Sequence, residues 1–172
     1  VIARIFELAG LPAGLLHVLP GGAEAGEALT LDENIASIQF TGSTQVGRMV
    51  GANAGKTLKK VSLELGGKNS LIILDDADIE RAAENIVWGA FLHSGQICMT
   101  SGKILVQEAI YERLKARVTE KTRQLVVGNP AQENVTIGPL IDEKQCRRVA
   151  DLVQAAVAHG ARLETGGDAQ GV

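Results

Sequence analysis

Ile35-Ala36-Ser37-Ile38-Gln39-Phe40, followed directly by Thr41-Gly42-Ser43-Thr44, is the stretch from which the fold can be read. Ile35 to Phe40 is strand-like, and the next four residues offer a turn and a hydroxyl N-cap for a helix. Val46, Met49, Val50 and Ala54 would form the inner face of that helix, and Val61, Leu63 and Leu65 alternate as a second strand ending at Gly66-Gly67. Strand, helix and strand on short connections predict an α/β fold, a parallel sheet covered by helices on both faces.

Reading outward toward the N-terminus, Ile2, Ile5, Phe6 and Ala9 have helical spacing, and Gly10 with Pro12 ends that helix. Leu15 to Leu19 is a short apolar run stopped by Pro20-Gly21-Gly22 and reads as a buried strand; Ala23 to Leu29 reads as a helix. Toward the C-terminus, Ser70 to Leu74 is a strand, and Asp75-Asp76 places acids where the dipole of the next helix favours them. Ile79, Ala82, Ala83, Ile86, Val87, Ala90 and Phe91 make one apolar stripe along that helix, which delivers the chain to Gly95 and Cys98. Lys103 to Val106 is a further strand, and a helix follows through Tyr111, Leu114, Val118 and Leu125 until Gly128-Asn129-Pro130 breaks it. Asp142 and Gln145 have capping-box spacing for a last helix with Cys146, Val149, Ala150, Val153 and Val157 inside. Ala161 to Thr165 reads as a final strand, and Gly166-Gly167 onward as frayed.

The 172 residues suffice for one domain or parts of two. Hydrophobic content of 45% and charged content of 22% are ordinary globular values. Only 3% of the residues are aromatic, so the core must be aliphatic, and the 20 glycines point to tight turns and close backbone approaches. A net charge of −3 with scattered Lys and Arg leaves no nucleic-acid footprint; Lys56 to Lys60 is the densest basic cluster. The apolar run from Ile86 to Leu92 is far short of the ~20 residues a membrane span needs. Two distant cysteines make no disulfide framework, and a reducing cytoplasm is the expected compartment. The chain opens Val1-Ile2-Ala3 and closes in Gly-rich sequence, and we expect a fragment of something longer.

Two residues draw attention as chemistry. Free cysteines are more often core than nucleophile, but Cys98 stands in Ser94-Gly95-Gln96-Ile97-Cys98-Met99, off any apolar face, where turn amides could stabilise a thiolate. Cys146, on a helical core position, reads as packing. Glu64 ends a strand and is followed by two glycines; such a glutamate is usually just solvated, yet the glycines would let a ligand lie close to a base there. Ser43, within Gly42 to Gly47, could bind phosphate at a helix N-terminus, although an ordinary N-cap is the simpler reading and Gly-x-Gly-x-x-Gly spacing is absent. Gly21-Gly22 with Gly26 is a weaker case of the same kind. A structural His93 is favoured over a Cys98–His93 pair, and no cluster has zinc-ligand spacing.

Together these segments resemble the NAD(P)-dependent aldehyde dehydrogenase superfamily. The resemblance rests on Gly10-Leu11-Pro12-Ala13-Gly14 through Pro20-Gly21, Phe40-Thr41-Gly42-Ser43-Thr44 through Gly47, Leu63-Glu64-Leu65-Gly66-Gly67-Lys68, Gly95-Gln96-Ile97-Cys98, Gly128-Asn129-Pro130 and Ile137-Gly138-Pro139-Leu140. It covers nearly the whole chain in the family's order.

The resemblance implies a C-terminal part of a Rossmann-like NAD(P)-binding domain over residues 1–66 and an N-terminal part of a catalytic domain over 67–172. It makes Cys98 the nucleophile that forms a thiohemiacetal and then an acyl-thioester, and Glu64 the base that activates the hydrolytic water. Gly42, Ser43 and Gly47 would bind the pyrophosphate of NAD or NADP, and Val46 would border the adenine, with Gly22 and Gly26 alongside the cofactor. Leu65 and Gly66 would lie near its nicotinamide end. The segment from His93 to Met99 is most like members acting on aromatic aldehydes such as benzaldehyde or vanillin. The full-length protein would be a cytoplasmic homo-oligomer, and this chain a middle fragment inactive alone. Two alternatives stay open: a CoA-acylating relative, and a non-catalytic module that binds a nucleotide or self-associates.

Overall fold

Ser37–Gly42 (β1) and Lys60–Leu65 (β2) pair in parallel, with Ser37 opposite Lys60 and Gly42 opposite Leu65. Parallel strands need a crossover, and Thr44–Lys56 (α3) provides it. The computed structural model describes residues 1–168 and divides after Leu65 into two units. β1, α3 and β2 belong to the first, with helices Ile2–Leu8 (α1) and Ala23–Leu31 (α2).

Gly47, Val50 and Ala54 are the buried positions of α3. A Cβ at Gly47 would stand 2.6 Å from Leu65 Cδ2, so glycine is what lets the helix lie close on β2. Val46 and Met49, expected inside, are exposed; they turn toward the cavity described below. Asn53 Nδ2 donates to Thr30 Oγ1 (3.0 Å), joining α3 to α2 through the buried threonine. The expected strand from Leu15 to Leu19 does not form: these residues are exposed, and no ladder is available to them among the described residues. A strand is defined by its partner, and an apolar run alone supplies none.

In the second unit Asn69–Ile73 (β3) pairs in parallel with Ser101–Val106 (β4), and the register slips between Asn69 and Ser70. Ile79–Phe91 (α4) packs against Glu108–Arg123 (α5), and Ile73, Ala82, Ala83, Ile86, Ile110 and Leu114 form the core beneath them. Leu71, Ile104 and Val106 close that core from the sheet. The N-cap of α4 is Asp78, whose carboxylate accepts from Arg81 N (2.8 Å), and the acid of its first turn is Glu80; Asp75-Asp76, expected at the helix start, precede it in a turn. Ile110 faces inward on α5, whereas Tyr111 is exposed and carries Lys115 Nζ over its ring at 5.1 Å.

Glu143–Ala158 (α6) starts at Asp142, whose carboxylate accepts from Gln145 N (2.7 Å). Its expected inner face holds no buried residue; Cys146 is half-buried, and Val149 and Val157 are exposed. The amphipathic pattern is there, but an apolar stripe is buried only where something packs on it. Ala161 to Thr165 likewise forms no strand, and Glu164 O instead accepts from Arg123 Nη2 (3.1 Å). The frayed C-terminal end expected from Gly166 lies, beyond Asp168, outside the described residues.

The exposed edge of the α4–α5 pair is tied by charge. Arg117 bonds both oxygens of Glu80 and reaches Glu120, while Lys121 bridges Glu80 and Glu84. Arg117, with Lys121 assisting, holds the Glu80 carboxyl well below its ordinary 4.5, at about 2. A depressed carboxyl stabilises the fold above its unfolded value and loses that contribution as pH falls through the folded value. Glu80→Gln is therefore expected to be less stable than the wild type above about pH 4.5 and to converge with it toward pH 2, measured by denaturant unfolding across that range. The gap should narrow in high salt, because the pairs are solvent-screened.

Candidate active site

β1 and β2 point the same way, so both end at one edge of their sheet, and the Gly42-Ser43 turn emerges there beside Glu64 and Leu65. Ligands of open α/β sheets collect at the carboxyl ends of strands. Ser43 is the N-cap of α3: its Oγ accepts from Val46 N (3.3 Å), and its carbonyl accepts from Gly47 N (2.8 Å). The first turn of α3 carries no acid, so no carboxylate of that turn offsets the positive helix end. Glu64 is exposed and lies opposite Thr41. Strand alternation turns it away from α3, whereas Leu63 and Leu65 face the helix against Gly51 and Gly47.

Gly22, Gly26 and Val46 come together around a cavity of about 580 Å³ between α2, β1 and α3, lined also by Phe40, Met49 and Val50. A Cβ at Gly22 or Gly26 would meet nothing within 4 Å, so that wall is open. A mostly apolar slot ending near an acid-free helix N-terminus and a serine hydroxyl suits a dinucleotide, with the flat base in the slot and the phosphates at the helix.

Cys98 belongs to the second unit, in the loop that enters β4. The loop leaves α4 through three consecutive residues in the left-handed region: His93 at φ +50°, Ser94 at φ +58° and Gly95 at φ +71°. Only the last is a glycine, and a left-handed non-glycine costs about 1–2 kcal/mol. Such outliers persist where the surroundings over-determine them. Here Ser94 Oγ donates to Gly138 O (3.1 Å), and Gln96 Oε1 accepts from Ile141 N (3.1 Å). Thr100 Oγ1 donates to Ile97 O (2.7 Å), and Asn69 Nδ2 donates to Cys98 O (2.7 Å) and Thr100 O (3.1 Å). Cys98 is thereby held exposed as a free thiol.

Asn69 and Ile141 escaped the sequence reading, and Ser94 and Gly138 were quoted there without an anchoring role. Asn69 left one trace, an amide at a strand start where asparagine is disfavoured; Gly138 acts through a carbonyl that every residue carries and Ile141 through an N–H that every residue but proline carries. Glu64 lies in the first unit and Cys98 in the second. Among the described residues no group of His, Cys, Asp and Glu is placed to hold a metal ion, and no helix is long and apolar enough to cross a membrane.

The family model described as "Aldehyde dehydrogenase family" matches residues 1–172. The chain belongs to the aldehyde dehydrogenase family. It is 51% identical over 166 residues to a vanillin dehydrogenase of an Amycolatopsis species, covering 96% of this chain and 34% of that protein. It is 49% identical over 170 residues to the benzaldehyde dehydrogenase [NAD(+)] of Pseudomonas putida, covering 99% of this chain and 35% of that protein. Among solved structures, the Mycobacterium tuberculosis aldehyde dehydrogenase complexed with NAD+ superposes with a TM-score of 0.95 at 42% identity, over 98% of this chain and 35% of that one. The chain thus spans about a third of the length of the relatives it matches. The α/β class with parallel sheets and helices, aldehyde dehydrogenase-like, is as expected from the sequence.

The exposed Cys98 and half-buried Cys146 differ in access. Substoichiometric iodoacetamide on the native 172-residue chain should label Cys98 ahead of Cys146, read by peptide mass spectrometry, and denaturant should erase the preference. Equal labelling in native buffer would contradict the exposed loop.

Proposed function

We propose that the protein containing this chain oxidises an aldehyde to a carboxylic acid with NAD or NADP, using Cys98 as nucleophile and Glu64 as general base. The observation that carries the reading is the presentation of Cys98: an exposed thiol on a loop fixed in a costly backbone conformation by hydrogen bonds to two separate segments, the start of β3 and the stretch from Gly138 to Ile141. Structural cysteines need no such loop.

The Cys98 thiolate adds to the aldehyde carbon, forming the S–C bond and moving the carbonyl electron pair onto oxygen. The Cys98 backbone N–H donates to that oxyanion, stabilising charge as it develops. When bound, the nicotinamide cofactor supplies the two-electron acceptor that takes the substrate's hydride as the C–H bond breaks and the carbonyl re-forms. The product on Cys98 is an acyl-thioester. Glu64 accepts a proton from the water that attacks it, the S–C bond breaks, and the carboxylic acid leaves the regenerated thiolate.

Gly42, Ser43 and Gly47 would hold the cofactor pyrophosphate at the start of α3, and Gly22, Gly26 and Val46 would line the slot for its adenine. Leu65 and Gly66 would border the nicotinamide end. Residues 1–66 then serve as part of the cofactor-binding domain and residues 67–172 as part of the catalytic domain. The names of the vanillin and benzaldehyde relatives support aromatic aldehydes as the substrate class. Within the same proposal the complete protein is a cytoplasmic homo-oligomer, and the 172 residues alone do not turn over.

In the protein expressed from the complete open reading frame, Cys98→Ala should abolish NADH formation from benzaldehyde or vanillin. Glu64→Gln should retain a pre-steady-state burst of NADH while slowing turnover by about 100-fold or more, the scale of a positioned general base. Turnover by Cys98→Ala would overturn the nucleophile, and wild-type turnover by Glu64→Gln would overturn the base.

A further inference from the structure

The loop that carries Cys98 is tied to β3 by one side chain. Asn69 is the first residue of β3 and pairs with Ser101, but the next pair is Ser70 with Lys103, so the ladder skips Gly102 at that point. Before the slip, the backbone ladder has no further rung toward the cysteine. The Asn69 side chain continues it: Nδ2 lies 2.7 Å from Cys98 O and 3.1 Å from Thr100 O, so one amide group serves both carbonyls. An asparagine amide carries two N–H donors, enough for both bonds.

From this geometry we infer that Asn69 is a positioning residue for the nucleophile, fixing the direction of the Cys98 side chain and of its N–H by holding the carbonyl on the other side of the same Cα. The inference rests on the reading of Cys98 as nucleophile. Pinning the carbonyl of a residue restricts its ψ, and with φ set by the Ile97 turn the Cα–Cβ and N–H directions follow. Thr100 Oγ1, bonded to Ile97 O, steadies the opposite side of that turn. Ser94 and Gln96 hold the loop as a whole to the segment from Gly138 to Ile141; among the described residues, only Asn69 reaches the cysteine's own backbone through a side chain. An attack geometry set this tightly is sensitive to small displacements.

The test uses the complete protein and three variants, Asn69→Ala, Asn69→Asp and Cys98→Ala. Asp has nearly the size of Asn but, ionised, offers no donor and sets a carboxylate against two carbonyl oxygens. Stopped-flow NADH bursts, NAD binding, thermal unfolding and the rate of Cys98 alkylation by iodoacetamide are measured for each. Both Asn69 variants are expected to lose about 10- to 100-fold in burst rate, with NAD affinity unchanged and alkylation slowed by no more than about threefold, because alkylation needs no oriented oxyanion donor. Burst rates within about twofold of wild type in either folded Asn69 variant would overturn the inference, as would a parallel loss of alkylation. If the alanine variant does not fold, the near-isosteric Asp variant carries the same reading. A burst surviving in Cys98→Ala would instead remove the nucleophile assignment itself.

Discussion

A left-handed run of His93, Ser94 and Gly95 is the constraint on which the presentation of Cys98 turns. Two of these residues carry side chains that disfavour the conformation, and an isolated loop would relax out of it. It is held because Ser94 bonds Gly138, Gln96 bonds the amide of Ile141, and Asn69 bonds Cys98 and Thr100. These anchors come from the start of β3 and from the long connection between α5 and α6. The core beneath α4 and α5 in turn supports them, since β3 and β4 place Ile73, Ile104 and Val106 in contact with it. An aliphatic core thus fixes a strand, the strand fixes an asparagine, and the asparagine fixes the backbone of a thiol.

The first unit has a different economy. Its ligand edge follows from parallel pairing: when β1 and β2 run the same way, Gly42 and Leu65 must end side by side, and the helix that returns the chain must begin there. Gly47 lets that helix sit on Leu65, which keeps the Ser43 turn close to the end of β2. The apolar cavity beside it needs no deep core, because α2, β1 and α3 supply its walls directly.

What could be read in advance was what local chemistry determines. The hydroxyl at Ser43 caps α3 as its position before a helical stripe predicts, and Ala82, Ala83 and Ile86 are buried at the positions their spacing assigns. Leu15 to Leu19 and Ala161 to Thr165 misled because a strand depends on a partner elsewhere, and composition cannot supply one. Asp75-Asp76, expected at the start of α4, lie before it because the helix begins only after Asp78, a boundary that turn geometry sets and spacing does not. At the candidate site, Cys98 and Glu64 were singled out by their sequence context and by family resemblance as the proposed nucleophile and base, but the buttress around Cys98 was not foreseen. Gly138 contributes a carbonyl, which every residue possesses, and Ile141 an N–H, which every residue but proline does, and the reach of Asn69 depends on a register slip.

The central claim is that Cys98 carries the acyl group. The most direct measurement is acid quench of the complete protein within its first turnover on a benzaldehyde and NAD mixture, followed by peptide mass spectrometry. The account predicts a benzoyl mass on the peptide bearing Cys98 and none on that bearing Cys146. Benzoylation at Cys146, or NADH formed in the burst with no acyl group on Cys98, would contradict it.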